Sequence, residues 1–221
     1  MQATQVIVRK MARALDRGGL AAAYGHCSMR LDEAAFLVCA SKPMGLIAVG
    51  EDGTCVKIRG PLPDGVLGEV RMHQAVYAAR PDVQAICRFV SPQLTALAAL
   101  GRTPQARHGF GAYFYPQAPM HANPALVRDD AAAAQVAELL GSGAGVVISI
   151  NGALTAAQTP AQALALAWYL EDSARVELAA LASGLAESGP RLTEQQALAR
   201  ATWQGRVAER MWDYLCHGDP E

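Results

Sequence analysis

The chain has 221 residues, 52% of them apolar, and a formal net charge of −1. That length supports one sizeable core, and without a block of like charge it offers no electrostatic hold on nucleic acid or an anionic lipid surface. No uninterrupted apolar run reaches about 18 residues, which argues against a membrane span. The N-terminal segment shows helical rather than signal-peptide patterning. The five cysteines, Cys27, Cys39, Cys55, Cys87 and Cys216, are therefore expected as reduced thiols in a cytoplasm. None forms a CxxC pair, so a structural zinc is not expected.

Val6, Ile7, Met11, Leu15 and Leu20 recur at helical spacing, and Gly18 and Gly19 supply the stop. Two strands are expected next, one through Gly25, His26, Cys27 and Ser28 and one from Ala34 to Ala40, joined near Asp32. Residues 41–45 read as a loop of the sort that holds small-molecule groups. Residues 46–49 and 55–58 read as a hairpin with Asp52 and Gly53 at its tip. A helix through Glu69 and His73 should end at Arg80, because Pro81 disfavours helical geometry there. The apolar run 83–90 is of strand length and carries Arg88 near its end.

Further helices are expected at 92–101, 131–140 and 193–215, with a short strand somewhere in 102–123 and a buried strand at 143–150. Thr159 and Pro160, as cap and first-turn proline, start a long helix to Ala182. This order predicts an α/β domain whose central sheet is mixed or mainly antiparallel and covered by helices on both faces. Residues 1–190 are expected to form that domain, and 191–221 a helical extension packed on it or on a neighbouring subunit.

Glu69 and His73 are four residues apart, which puts both on one helix face, near enough to act on one substrate. Plain alternatives stand beside this: a structural histidine at His73, a left-handed turn residue at Asn151 before Gly152, and a structural ion pair between Arg88 and Glu69. His26 could cap a loop, Lys42 could be solvated, and Trp203, Trp212 and Tyr214 suit packing.

Several stretches together resemble the class II aldolase/adducin family. Gly25, His26, Cys27 and Ser28, followed by Arg30 and Leu31, resemble its GNxS or GHxS loop. Glu69 and His73, with the tyrosine-led stretch from Tyr77 to Val83, resemble its ExxxH helix and ARPDV turn. Asn151, Gly152 and Ala153, with Leu164, Glu171 and Ala174 beyond them, resemble its HG turn and following helix. The stretch from Leu126 to Asp130 resembles the branch containing pyridine and phthalate carboxylate decarboxylases.

The resemblance implies a three-layer fold and a homotetramer with sites near subunit boundaries. In that family a divalent metal, usually zinc, is held by an HxH pair at a strand end and a third histidine in the HG turn. The matching positions here are Arg88, Val90 and Asn151. Arginine cannot give up its proton to coordinate a cation, and valine has no lone pair, so no metal or other cofactor is expected. Glu69 would be the general acid or base, with Arg88, Asn151 and His73 holding an anion. His26, Ser28, Ser41 and Lys42 would bind the rest of a small acidic or hydroxy-carbonyl molecule. The expected function is a metal-independent lyase-like enzyme, cleaving C–C bonds or decarboxylating, or an isomerase-like one. One alternative is a non-catalytic, adducin-like binding or scaffold protein. Another is a metal site rebuilt from Glu69, His73 and a loop histidine.

Overall fold

The computed structural model describes residues 1–221. Its N-terminal apolar stripe becomes α1, Gln2–Arg17, with Val8, Met11 and Leu15 buried along one side. β1 (Gly25–Arg30), β2 (Ala35–Val38), β3 (Thr54–Lys57), α2 (Arg71–Ala79), β4 (Ala85–Phe89) and α3 (Pro92–Ala99) follow. The second half supplies β5 (Met120–His121), α4 (Asp130–Leu140), β6 (Gly145–Ile148), β7 (Ala153–Ala157), α5 (Pro160–Ala182), α6 (Glu194–Arg200) and α7 (Val207–Leu215). One seven-stranded sheet runs in the order β3-β2-β1-β4-β7-β6-β5. Every pairing is antiparallel except that of β5 with β6. No helix is long and apolar enough to cross a membrane.

β4 shows how the layers are divided. All of its residues are buried, and side chains alternate between the faces of a strand. Ala85, Cys87 and Phe89 join the core shared with α1, α3 and α5, while Ile86 joins the one shared with α2 and α4. By the same alternation Arg88 lies on the α2 face. Helix α5 starts as its sequence dictates, with Thr159 accepting from the Gln162 backbone and Pro160 in the first turn.

Three segments depart from the sequence expectation. Residues 46–49 are not a hairpin arm: Pro43 leads into a single 3-10 turn, Met44–Leu46, with Met44 and Ile47 buried and Leu46 and Val49 exposed. That three-residue burial spacing is a turn's, and β3 pairs with β2 instead. The expected C-terminal helix is broken between α6 and α7, where Gly205 and Arg206 take φ of 70° and 58°. The reversal lets α7 fold back onto α5. β7 lies in an alanine-rich stretch that carries no strand pattern; its place between β4 and β6 makes it a strand.

The chain's last residues return to α1. Arg13 donates to both carboxylate oxygens of Asp219, at 2.6 and 2.9 Å, and Arg9 Nε donates to Glu221 at 2.9 Å. Burial pushes the Asp219 carboxyl up, but its bonds to Arg13 and Arg17 outweigh this and hold it at about 2. Glu221, bonded to Arg9 and Arg13, is likewise held at about 2. Folded-state pKa values below the unfolded ones mean that this clasp stabilises the fold above about pH 4.5 and loses its effect as pH falls toward about 2. The melting temperature is expected to drop by several degrees across that window, and Arg13→Met to flatten the drop. A drop of unchanged size in the variant would contradict the assignment.

Candidate active site

His26 on β1 and Arg88 on β4 are direct cross-strand partners, so they leave the same face of the sheet. Two close backbone approaches build the rest of the site around the end of β4. In the turn between β6 and β7, Gly152 has φ 81°, and a Cβ there would stand 2.0 Å from the Phe89 carbonyl oxygen. On the other side a Cβ at Gly25 would stand 2.9 Å from the Arg88 carbonyl oxygen. Only glycine permits this proximity, and it sets Asn151 beside Arg88. A 3-10 turn ahead of α2, Gly68–Val70, carries Glu69 in from the helical layer.

Glu69 Oε1 accepts from Arg88 Nη2 and from Asn151 Nδ2, each at 3.3 Å, which leaves Oε2 free of protein donors. Arg88 is 2% exposed, and its Nε and Nη1 have no partner. Burial lowers the Arg88 pKa and Glu69 opposes that effect; a guanidinium keeps its proton regardless. Behind these groups runs a buried chain. His26 Nδ1 meets His73 Nε2 at 2.8 Å, His73 Nδ1 meets Ser28 Oγ at 2.6 Å, and Ser28 Oγ meets Tyr77 Oη at 2.9 Å. Burial, then the neighbouring charge of Arg88, lowers His73 to about 3. Burial, His73 and Arg88 lower His26 well below the usual histidine value. Both rings are therefore neutral at pH 7. His26 Nε2 has no partner.

A pocket of about 590 Å³ is lined by His26, Ser41, Lys42, Glu69, Arg88 and Asn151 among others. It brings together six of the eight residues expected from sequence. Ser28 and His73 are not among its lining; both are fully buried behind it. The four-residue spacing put His73 with Glu69, yet Glu69 sits in the turn before α2 and reaches β4, while His73 turns in toward β1. Lys42 is already matched in charge, its Nζ 2.8 Å from Glu51. In the β6–β7 turn Ser149 and Gly152 have positive φ, and Asn151 does not. Val90 does not line the pocket and bridges to Ala21. Sequence reasoning missed Arg128, an exposed cation that lines the pocket and whose stem lies over Gly68. It also missed the roles of Tyr77 and of the rim residues Tyr24 and Leu126, which carry no chemical signature in sequence.

The residues at the end of β4 do not suit a divalent cation. Arg88 is itself cationic, Val90 has no donor atom, and Asn151 with Glu69 leaves too few ligands. No three His, Cys, Asp or Glu side chains come together in a metal-binding group.

A concave pocket with a few converging polar groups is the layout of a small-molecule site. The chain belongs to the class II aldolase and adducin family: the Class II Aldolase and Adducin N-terminal domain matches residues 6–178. Among solved structures, L-fuculose 1-phosphate aldolase from Glaciozyma antarctica is similar at 22% identity and TM-score 0.79, over 97% of this chain and 89% of that one. L-fuculose-1-phosphate aldolase from Thermus thermophilus is similar at 24% identity and TM-score 0.74, over 87% of this chain and 100% of its own. An aldolase II superfamily protein from Pseudomonas syringae is similar at 22% identity and TM-score 0.79, over 96% and 90% of the two chains. At such identities the likeness is one of fold. No curated protein matches the chain.

Proposed function

We propose that this chain is an aldolase-like enzyme, of lyase or isomerase type, that uses a fixed guanidinium to hold the anionic oxygen of a small carboxylate or hydroxy-carbonyl substrate. The observation that carries this reading is Arg88 itself: 2% exposed, bonded to Glu69 through Nη2 alone, with Nε and Nη1 buried and without a partner. A buried cation with unmade hydrogen bonds is costly, and a ligand oxygen would complete it. In C–C cleavage, decarboxylation or proton abstraction beside a carbonyl, negative charge collects on an enolate oxygen. Preorganised donors stabilise that charge where it develops, and the unpartnered nitrogens of Arg88 with the Asn151 amide supply them. Glu69 Oε2 takes the substrate proton or returns it. Ser41 and Arg128 contact the far end of the substrate. Exposed Tyr24, Leu126 and Ile150 favour a homo-oligomer that shields this side of the molecule.

Oxalate, a planar mimic of an enediolate, is expected to raise the melting temperature of the protein saturably, and Arg88→Ala to remove the effect. Against a panel of small hydroxy acids, keto acids and hydroxy-aldehydes, Glu69→Gln should lower turnover by about 100-fold or more while oxalate still binds. Oxalate stabilisation that survives Arg88→Ala would overturn the anion site. Oxalate binding without turnover on any compound would overturn the enzyme reading in favour of an adducin-like binding protein.

A further inference from the structure

We infer that His26 is a second anion-holding donor of this pocket, its Nε2 kept protonated by a buried hydrogen-bond chain that begins at Tyr77. The inference rests on the anion-pocket reading above and adds a group whose donor character is set by residues behind the pocket.

Tyr77 is 1% exposed, and its hydroxyl has Ser28 Oγ, 2.9 Å away, as its partner. Buried hydroxyl hydrogens are placed on acceptors, so Tyr77 donates to Ser28. Ser28 then turns its own hydrogen to His73 Nδ1 at 2.6 Å. With Nδ1 accepting, a neutral His73 carries its hydrogen on Nε2 and donates to His26 Nδ1 at 2.8 Å. A neutral His26 whose Nδ1 accepts carries its hydrogen on Nε2. The chain read in reverse would leave the Tyr77 hydrogen buried with no acceptor. Burial and the nearby Arg88 charge keep both rings from protonating, which the chain requires.

His26 Nε2 is the ring nitrogen without a partner, and His26 lines the pocket directly across the strands from Arg88. Arg88 Nε, Arg88 Nη1 and His26 Nε2 are thus unfilled donors from one pair of opposed residues. Two hydrogen-bond donors from one guanidinium and one from an uncharged imidazole call for an acceptor-only group, a carboxylate or an enolate oxygen. His26 touches the substrate. His73, Ser28 and Tyr77 are positioning residues that act through it.

Nitrogen–proton NMR on histidine-labelled protein reads the tautomer directly. At neutral pH His26 is expected as the Nε2–H form in the ligand-free protein, with that signal moving when oxalate is added. Tyr77→Phe removes the first donor of the chain; it should turn His26 into a mixture of tautomers and weaken oxalate binding about tenfold. His26→Leu should weaken binding to a similar extent, and His26→Gln, which keeps an N–H donor, should recover most of the affinity. An Nδ1–H His26 in the unmodified protein overturns the inference. So does a Tyr77→Phe protein whose tautomer and oxalate affinity are both unchanged. If Arg88→Ala abolishes oxalate binding while His26 shows the Nδ1–H form, the His26 role falls and the Arg88 site stands. The ligand-free spectrum decides the tautomer even if oxalate does not bind.

Discussion

Arg88→Met is expected to melt above the parent protein while losing all response to oxalate. The side chain is almost fully buried, has one long contact to Glu69 at 3.3 Å, and leaves two nitrogens unsatisfied. Replacing such a buried charge with an apolar group of similar length removes a desolvation penalty that one weak ion pair does not repay; exchange of a whole buried pair for apolar groups is neutral or stabilising by about 1–4 kcal/mol, and loss of one partner is costly only where the other charge stays buried. Glu69, its side chain 18% exposed, can hydrate once its partner is gone. For a chain of this size about 1 kcal/mol corresponds to roughly 2–4 °C. Stability gained where binding is lost marks a residue retained for its function. A variant that melts well below the parent would instead identify the Arg88–Glu69 pair as structural.

Gly152→Ala is expected to cost more stability than any other small change near the site. Its Cβ would stand 2.0 Å from the Phe89 carbonyl oxygen and 2.8 Å from Val90 Cα, both backbone atoms that cannot swing aside. The position also has φ 81°, which an L side chain adopts only under strain. Together these should exceed about 3 kcal/mol, or on the order of 10 °C in melting temperature. Gly50→Ala is the control: φ is 75° there and no atom lies within 4 Å of the added carbon, so it bears backbone strain alone, about 1 kcal/mol. Equal losses in the two variants would mean that the β6–β7 turn does not press on β4 as described. The turn also carries Asn151, so whatever Gly152→Ala protein remains folded should bind oxalate more weakly than the parent.

Much of this architecture was legible in the sequence where a local mechanism writes it. The Thr159 and Pro160 start of α5 and the doubly buried β4 are of that kind. β7 was not legible, because alanines carry neither alternation nor β-branching and only neighbours in the sheet define the strand. The break at Gly205 hid inside a segment whose aromatic spacing suits one continuous helix.

The site divides the same way. Glu69, Arg88, Asn151 and His26 stood out by residue type at the ends of elements, and the fold gathers them. Helical spacing showed that Glu69 and His73 could share a face. It could not show that a 3-10 turn would send one carboxylate to β4 and leave the imidazole facing β1. Arg128 lies in the Leu126–Asp130 stretch that the family resemblance singled out, but that stretch is mostly exposed and has no period, so its pattern did not place the Arg128 side chain at the pocket.

Titration of oxalate into the protein by calorimetry, before and after exhaustive chelation, tests most directly whether the Arg88 guanidinium, and not a metal ion, holds the anion. One-to-one binding with the same affinity in both samples is the predicted result. Binding that disappears on chelation and returns with added zinc would contradict it.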